Sequence, residues 1–297
     1  MKKILIMLLL LTVVFALSAC GGAEIRTLSD LERDGIIIAV QNATTGHIYA
    51  QENFPNAQID AFPLFSDAIM ALLVGAADAV IIDYIPGWNF INENPDRLTF
   101  VGDVLTEEGY GIAFQHGSRL TEMFNGALNQ LREDGTFQAI YDYWINNLPG
   151  ASRYVSPPGT EHPNGVLHMA TSAGFPPFEL FEGENIVGFD PCLANAIGDI
   201  LGYRIEIHHM EFGVIIPSVQ AGQFDFGMAG MTVRDDRREY VDFSQIYFMS
   251  GQRVVARIPG AELLEGEAPA LYGEENGGEE NGEETTDETN GEEADED

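Results

Sequence analysis

The 297-residue chain carries 47 acidic against 14 basic side chains, a net charge of −33, and 45% of its residues are hydrophobic. This acidity leaves nucleic acid a poor partner, while the hydrophobic share suffices for two domains with ordinary cores. Much of the charge sits at one end: residues 258–297 hold sixteen acids and no base, whereas residues 21–257 hold 31 acids, 12 arginines and no lysine.

In chain order, Lys2 and Lys3 precede an apolar run from Ile4 to Leu17, and Leu17-Ser18-Ala19-Cys20 sets small residues before a cysteine. A core this short is an export signal rather than a membrane span, so residues 1–20 read as a lipoprotein signal peptide with Cys20 as the lipidated residue. Acyl chains there would anchor the protein at the outer face of the membrane. Gly35–Val40 is predicted as a buried strand, Ser66–Val74 as a helix with apolar Ala68, Ile69, Leu72 and Leu73 at helical spacing, and Asp78–Asp83 as the next strand, a βαβ unit. Residues 148–164, with Pro149, Pro157, Pro158 and Pro163, read as an extended linker. Beyond it the alternation repeats: strand Val166–Thr171, helix Pro191–Leu201, strand Arg204–His208, helix Val214–Ala221 and strand Phe224–Ala229. Cys192, on the apolar side of its helix, reads as a small buried hydrophobe, and if Cys20 is acylated no intramolecular disulfide remains. The Gly/Glu/Asn/Thr-rich stretch of residues 258–297 is expected to be disordered.

In open α/β sheets ligands bind beyond the carboxyl ends of strands. Thr44 and Thr45, Asp83, and the turn Gly230-Met231-Thr232-Val233-Arg234-Asp235-Asp236-Arg237 all follow strands. By themselves, Thr44, Thr45 and Asp83 also suit helix N-caps, and Arg237 a surface position at a helix start. The six histidines form no spaced ligand set, and His208 and His209, adjacent on a strand, point to opposite faces. No metal, cofactor or phosphate loop is expected, so any ATP hydrolysis belongs to other subunits.

Two segments carry a resemblance. GVLHMATSAGFPPFELFEGENIVGFD with FGVIIPSVQAGQFDFGMAGMTVRDDRREYVDFS, within residues 165–257, is similar to the opening half of the bacterial extracellular amino-acid-binding proteins of ABC importers. LSDLERDGIIIAVQNATTG, LLVGAADAVIID and EEGYGIAFQHGSRLTEMFNGALNQLREDGTFQAIYDYWINN, within residues 28–147, resemble the closing half. The resemblance implies an α/β, two-lobed periplasmic-binding-protein fold of type II, apparently circularly permuted. Residues 28–108 would form lobe 2, and lobe 1 would combine residues 109–147 with residues 165–257. Three assemblies fit this order: one chain folding on itself, a remnant of tandem copies, or a swapped oligomer. A linker of seventeen residues, extending to on the order of 50 Å, favours the first.

The same resemblance implies the site. Arg237 would clamp the ligand carboxylate, a bidentate task for a guanidinium, with Gly230 and Thr232 in the same turn. Asp83 would accept from the ligand ammonium, and Thr44 and Thr45 would match a Gly-Thr-Thr turn in which Ala43 here replaces the glycine. Phe175 and Phe212 would wall the side chain, Phe178 belonging to the core, and Ser172, where some members carry aspartate, points to a neutral amino acid. The implied function is capture of an amino acid outside the cytoplasm and delivery to an ABC permease with its ATPase subunits. The alternatives are an enzyme resembling cyclohexadienyl dehydratases, with Asp83 or Glu211 as general acid, and a sensory lipoprotein without transport.

Overall fold

The computed structural model describes residues 23–266 and 269; the expected signal peptide and Cys20 lie outside them. After a 3-10 turn at Leu28–Glu32 come β1 (Ile37–Gln41), α1 (Thr45–Asn53), β2 (Gln58–Phe62), α2 (Phe65–Leu73), β3 (Ala79–Asp83), α3 (Tyr84–Glu93) and β4 (Leu98–Val101). The chain continues through β5 (Glu108–Tyr110), β6 (Ala113–Phe114), α4 (Leu120–Glu133) and α5 (Thr136–Trp144). Then follow β7 (Val166–Thr171), β8 (Leu180–Glu182), β9 (Asn185–Val187), α6 (Phe189–Leu201), β10 (Arg204–His209), α7 (Phe212–Gln220), β11 (Phe226–Gly227), α8 (Asp235–Arg238), β12 (Asp242–Phe243), β13 (Phe248–Ser250) and β14 (Gln252–Arg257).

Two five-stranded sheets form, in the orders β2-β1-β3-β14-β4 and β10-β7-β11-β6-β12. They share one topology. In each, three parallel strands are followed by an antiparallel fourth, β14 or β6, inserted from the chain segment that builds the other sheet. The chain therefore crosses twice between lobes, and the two crossings run side by side as the antiparallel pair β5–β13. Such a two-stranded connection is a natural hinge. This is the two-lobed type II periplasmic-binding-protein fold.

The boundary at residue 257 shifts. Residues 165–257 were expected to belong wholly to lobe 1, but β14 lies in the lobe 2 sheet between β3 and β4. The reason is local: Val254, Val255 and Ala256 are apolar on both faces and fully buried there, as a central strand covered on both sides must be. The expected strand Phe224–Ala229 is trimmed to β11, after which the chain turns into the cleft. Several elements were not anticipated, and two of them show why. α1 has no apolar stripe that periodicity could reveal, burying only Gly46 and Ala50, and β2 is a half-exposed edge strand.

The tail also departs from expectation at its start. Ile258 N donates to Arg97 O and Leu264 N to Leu73 O, and Leu263 fills the space beside Gly75. Ile258, Leu263 and Leu264 give this stretch the apolar surface that the following Glu/Gly-rich sequence lacks. The linker, residues 148–164, contains no helix or strand, but it is docked on lobe 1: Tyr154 Oη donates to Asp199 Oδ2 at 2.7 Å, and Asn164 Nδ2 donates to Leu201 O at 2.8 Å. Cys192 is buried in α6, where its sulfur accepts from Trp144 Nε1 at 3.2 Å.

Candidate functional site

All eight residues proposed from the sequence for the ligand site line one small cavity between the lobes: Thr44, Thr45 and Asp83 from lobe 2, and Phe175, Phe212, Gly230, Thr232 and Arg237 from lobe 1. Its volume is about 10 Å³, room for about one water. A solute larger than water therefore enters only when the lobes separate.

Arg237 is 7% exposed. Its Nη1 donates to Thr232 O at 2.8 Å within lobe 1, its Nη2 donates to Ala43 O at 3.1 Å across the cleft, and its guanidinium carbon lies 5.2 Å from the Phe212 ring centre. Burial, then the neighbouring Arg234, pull its pKa down to about 10, which still leaves it charged at neutral pH. Among the described residues no carboxylate oxygen lies within ion-pair distance of it. A buried cation without a carboxylate in ion-pair contact is costly, and here its two Nη atoms are held by backbone carbonyls.

Asp83 ends β3 but does not cap α3: its side chain makes no capping bond. Instead Tyr110 Oη donates to Asp83 Oδ1 at 2.5 Å. Full burial, then the nearby charge of Glu108, push the Asp83 carboxyl up to about 7. The site thus holds, a few side chains apart, a cation lacking an anion and an acid held half neutral.

Thr44 is the N-cap of α1, accepting from His47 N at 3.2 Å, and its own hydroxyl donates to Gln41 O at 2.8 Å. Ala43 before it adopts φ +61°, the left-handed conformation that a glycine would take without strain. Thr45 and Thr232 meet from opposite lobes on a residue the sequence reading missed: Thr45 Oγ1 and Thr232 Oγ1 both donate to Glu108 Oε2, at 2.9 and 2.5 Å. Glu108 lies on β5, so the latch is built on the hinge. Its only sequence signal was a carboxylate at the end of lobe 2 next to the Gly109-Tyr110 crossing.

Gly230 contributes room more than an amide. Its N–H already donates to Asp190 Oδ2 at 2.9 Å, and a Cβ at its position would meet the Phe175 ring at 2.6 Å. Phe175 stacks at 5.2 Å on Phe65 of lobe 2, which was also missed, while Phe212 faces Arg237. Phe178 is fully buried, as expected for a core residue. Ser172 Oγ accepts from Gln41 Nε2 at 3.3 Å across the cleft. Glu179 also lines the cavity with both carboxyl oxygens unpartnered. Burial, then repulsion from Asp190, push it well above the ordinary carboxylate range, and burial raises Asp190 itself to about 7. Glu211, an alternative acid in the sequence reading, is not part of the cavity lining.

Histidines that are far apart in sequence do converge elsewhere. The parallel register of β7 and β10 sets His168 opposite Glu206, with His208 beside both. Separation in sequence concealed that pairing.

Two α/β lobes, joined by a paired-strand hinge, thus close on a polar cavity. Residues 167–273 match the model of the bacterial extracellular solute-binding proteins, family 3. The chain is 40% identical over 99 residues to the arginine-binding extracellular protein ArtP of Bacillus subtilis (strain 168), covering 33% of this chain and 39% of that one. It is 31% identical over 130 residues to the ABC transporter glutamine-binding protein GlnH of the same organism, covering 43% and 46%. The chain thus spans less than half the length of these curated relatives. Among solved structures, the arginine-bound domain 1 of TmArgBP is 36% identical, with 32% of this chain and 81% of that chain covered and a TM-score of 0.28. These relatives are named as binding proteins rather than enzymes, and family members act outside the cytoplasm.

Proposed function

We propose that this chain captures one free amino acid between its lobes, outside the cytoplasm and anchored through Cys20, and presents it in the closed state to an ABC permease. The observation that carries the reading is the pairing of Arg237, a buried guanidinium without a carboxylate, with Asp83, a buried acid without a cation. A zwitterion supplies both missing charges. Its carboxylate takes the fork of Arg237 in place of the backbone acceptors, and its ammonium takes Asp83, so that the ligand stabilises the closed form by contacts with both lobes. The cavity lining contains no histidine, and Asp83 Oδ1 already accepts from Tyr110, which favours binding over dehydratase chemistry.

The transposed halves fit an intramolecular circular permutation. The first described residue and the last residue of β14 meet at one side chain: Ala23 N donates to Asp78 Oδ1 at 2.5 Å, and Arg257 Nη2 lies 3.7 Å from the same oxygen. Adjacent ends are what a permuted chain requires. β6 of one segment pairs directly with β11 and β12 of the other, which supports a cleft completed within one chain.

Ser172 favours a neutral side chain. A basic side chain is the second reading, favoured by the two unpartnered oxygens of Glu179 at the cavity wall. Thermal-shift titration of the full chain with the twenty amino acids tests both: a ligand at a hundred times its dissociation constant adds about 2.7 kcal/mol. Glutamine-like ligands alone would support the first reading and arginine or lysine the second. No shift with any amino acid would remove the proposed function.

A further inference from the structure

The outer edge of the lobe 1 sheet carries a second set of donors, away from the cleft. β10 is the edge strand, and its residues Glu206 and His208, two apart, project to one face. His168 of β7 stands opposite Glu206 in the parallel register and shares that face. His168 Nδ1 faces His208 Nε2 at 3.1 Å and Glu206 Oε2 at 3.4 Å, and one ligand atom from each of the three residues lies within 4.8 Å of the other two. The other oxygen of Glu206 is held by Arg204 at 2.5 Å, and the His208 ring packs 5.4 Å from Phe224. One carboxylate oxygen is therefore left to face the imidazoles, and one imidazole is held in place by packing.

A hydrogen bond between the two rings would account for the 3.1 Å contact alone. The carboxylate oxygen 3.4 Å from the same nitrogen adds a third candidate ligand to the pair. A tetrahedral metal accounts for both, because ligands at about 2.0–2.1 Å from zinc stand roughly 3.3–3.4 Å apart. We propose that His168 Nδ1, His208 Nε2 and Glu206 Oε2 form a site for a divalent transition metal of the zinc type, with a fourth position open to water. Two imidazoles with one carboxylate select against calcium and magnesium, which take oxygen shells. The bound ion would tie the edge strand β10 to β7 by a bond other than the ladder.

The test uses the full chain purified without a histidine tag. Zinc chloride titrations followed by calorimetry and by competition with a chromogenic chelator should give one equivalent of tight binding. His168→Gln/His208→Gln should weaken it by about a hundredfold or more, and Glu206→Gln by roughly tenfold, with the circular dichroism spectrum unchanged. The acidic tail is retained in these variants, so its carboxylates are controlled for. Cobalt(II) bound to the unmutated protein should show the strong visible absorption of a tetrahedral N/O shell, a readout that needs no variant. Equal zinc affinity in the double variant, or only weak octahedral cobalt absorption, would overturn the site.

Discussion

Asp83→Asn offers the sharpest test of the electrostatic reading. The carboxyl is completely buried and its pKa rises from 3.8 to about 7 on folding, so between those values the native state holds a proton that the unfolded chain has released. Stability then falls as pH rises through this window and is flat above it. A shift of about three units corresponds to roughly 4 kcal/mol at 1.36 kcal/mol per unit, an upper bound that structural relaxation reduces. Asparagine keeps the shape and the acceptor for Tyr110 Oη but carries no charge. The variant should therefore match the parent near pH 4 and exceed it by about 2–4 kcal/mol at pH 8. Urea denaturation of ligand-free protein across pH 4–8.5 measures this difference. Amino-acid affinity should change in the opposite sense, because the ammonium loses its ionised partner, and in the parent protein affinity should fall about tenfold per pH unit below 7. A stability difference that does not vary with pH would refute the argument that Asp83 is held protonated by burial.

Arg237→Ala should weaken amino-acid binding by about 3 kcal/mol or more in calorimetry, since a charge-assisted bidentate contact disappears and the Thr232 and Ala43 carbonyls lose their donor; Arg237→Lys should recover only part, and unchanged affinity would remove Arg237 from the site. Ala43→Gly should stabilise the fold by up to about 1 kcal/mol in thermal denaturation, because it relieves a left-handed φ. Cys20→Ser should move the protein from the membrane fraction to the soluble one with ligand affinity intact; retention in the membrane after a salt wash would refute the anchor. A monomer in light scattering, with a binding stoichiometry near one, is expected of an intramolecular permutation, and binding confined to dimers would indicate swapping.

The sequence alone determined the elements with strong periodicity and the residues with a motif around them. β1, α2, β3, β7, α6, β10 and α7 were legible because their apolar spacing reports a buried face. The eight positions proposed for a ligand were legible as lining one cavity, because most follow a strand end and all stand in segments that carry the resemblance. Only the tertiary structure could decide what is set by pairing across the chain. β14 looked like the end of lobe 1, but a strand's sequence says that it is buried, not between which neighbours. Glu108 and Phe65 enter the site because the hinge and α2 bring them there, and neither carries a local signal. Gln41 meets Ser172 across 131 positions, and His168 meets His208 across 40. Local patterning is fixed by nearest neighbours along the chain. The meeting of two lobes, and the burial that raises Asp83 and leaves Arg237 without an anion, exists only once both surfaces have closed on each other.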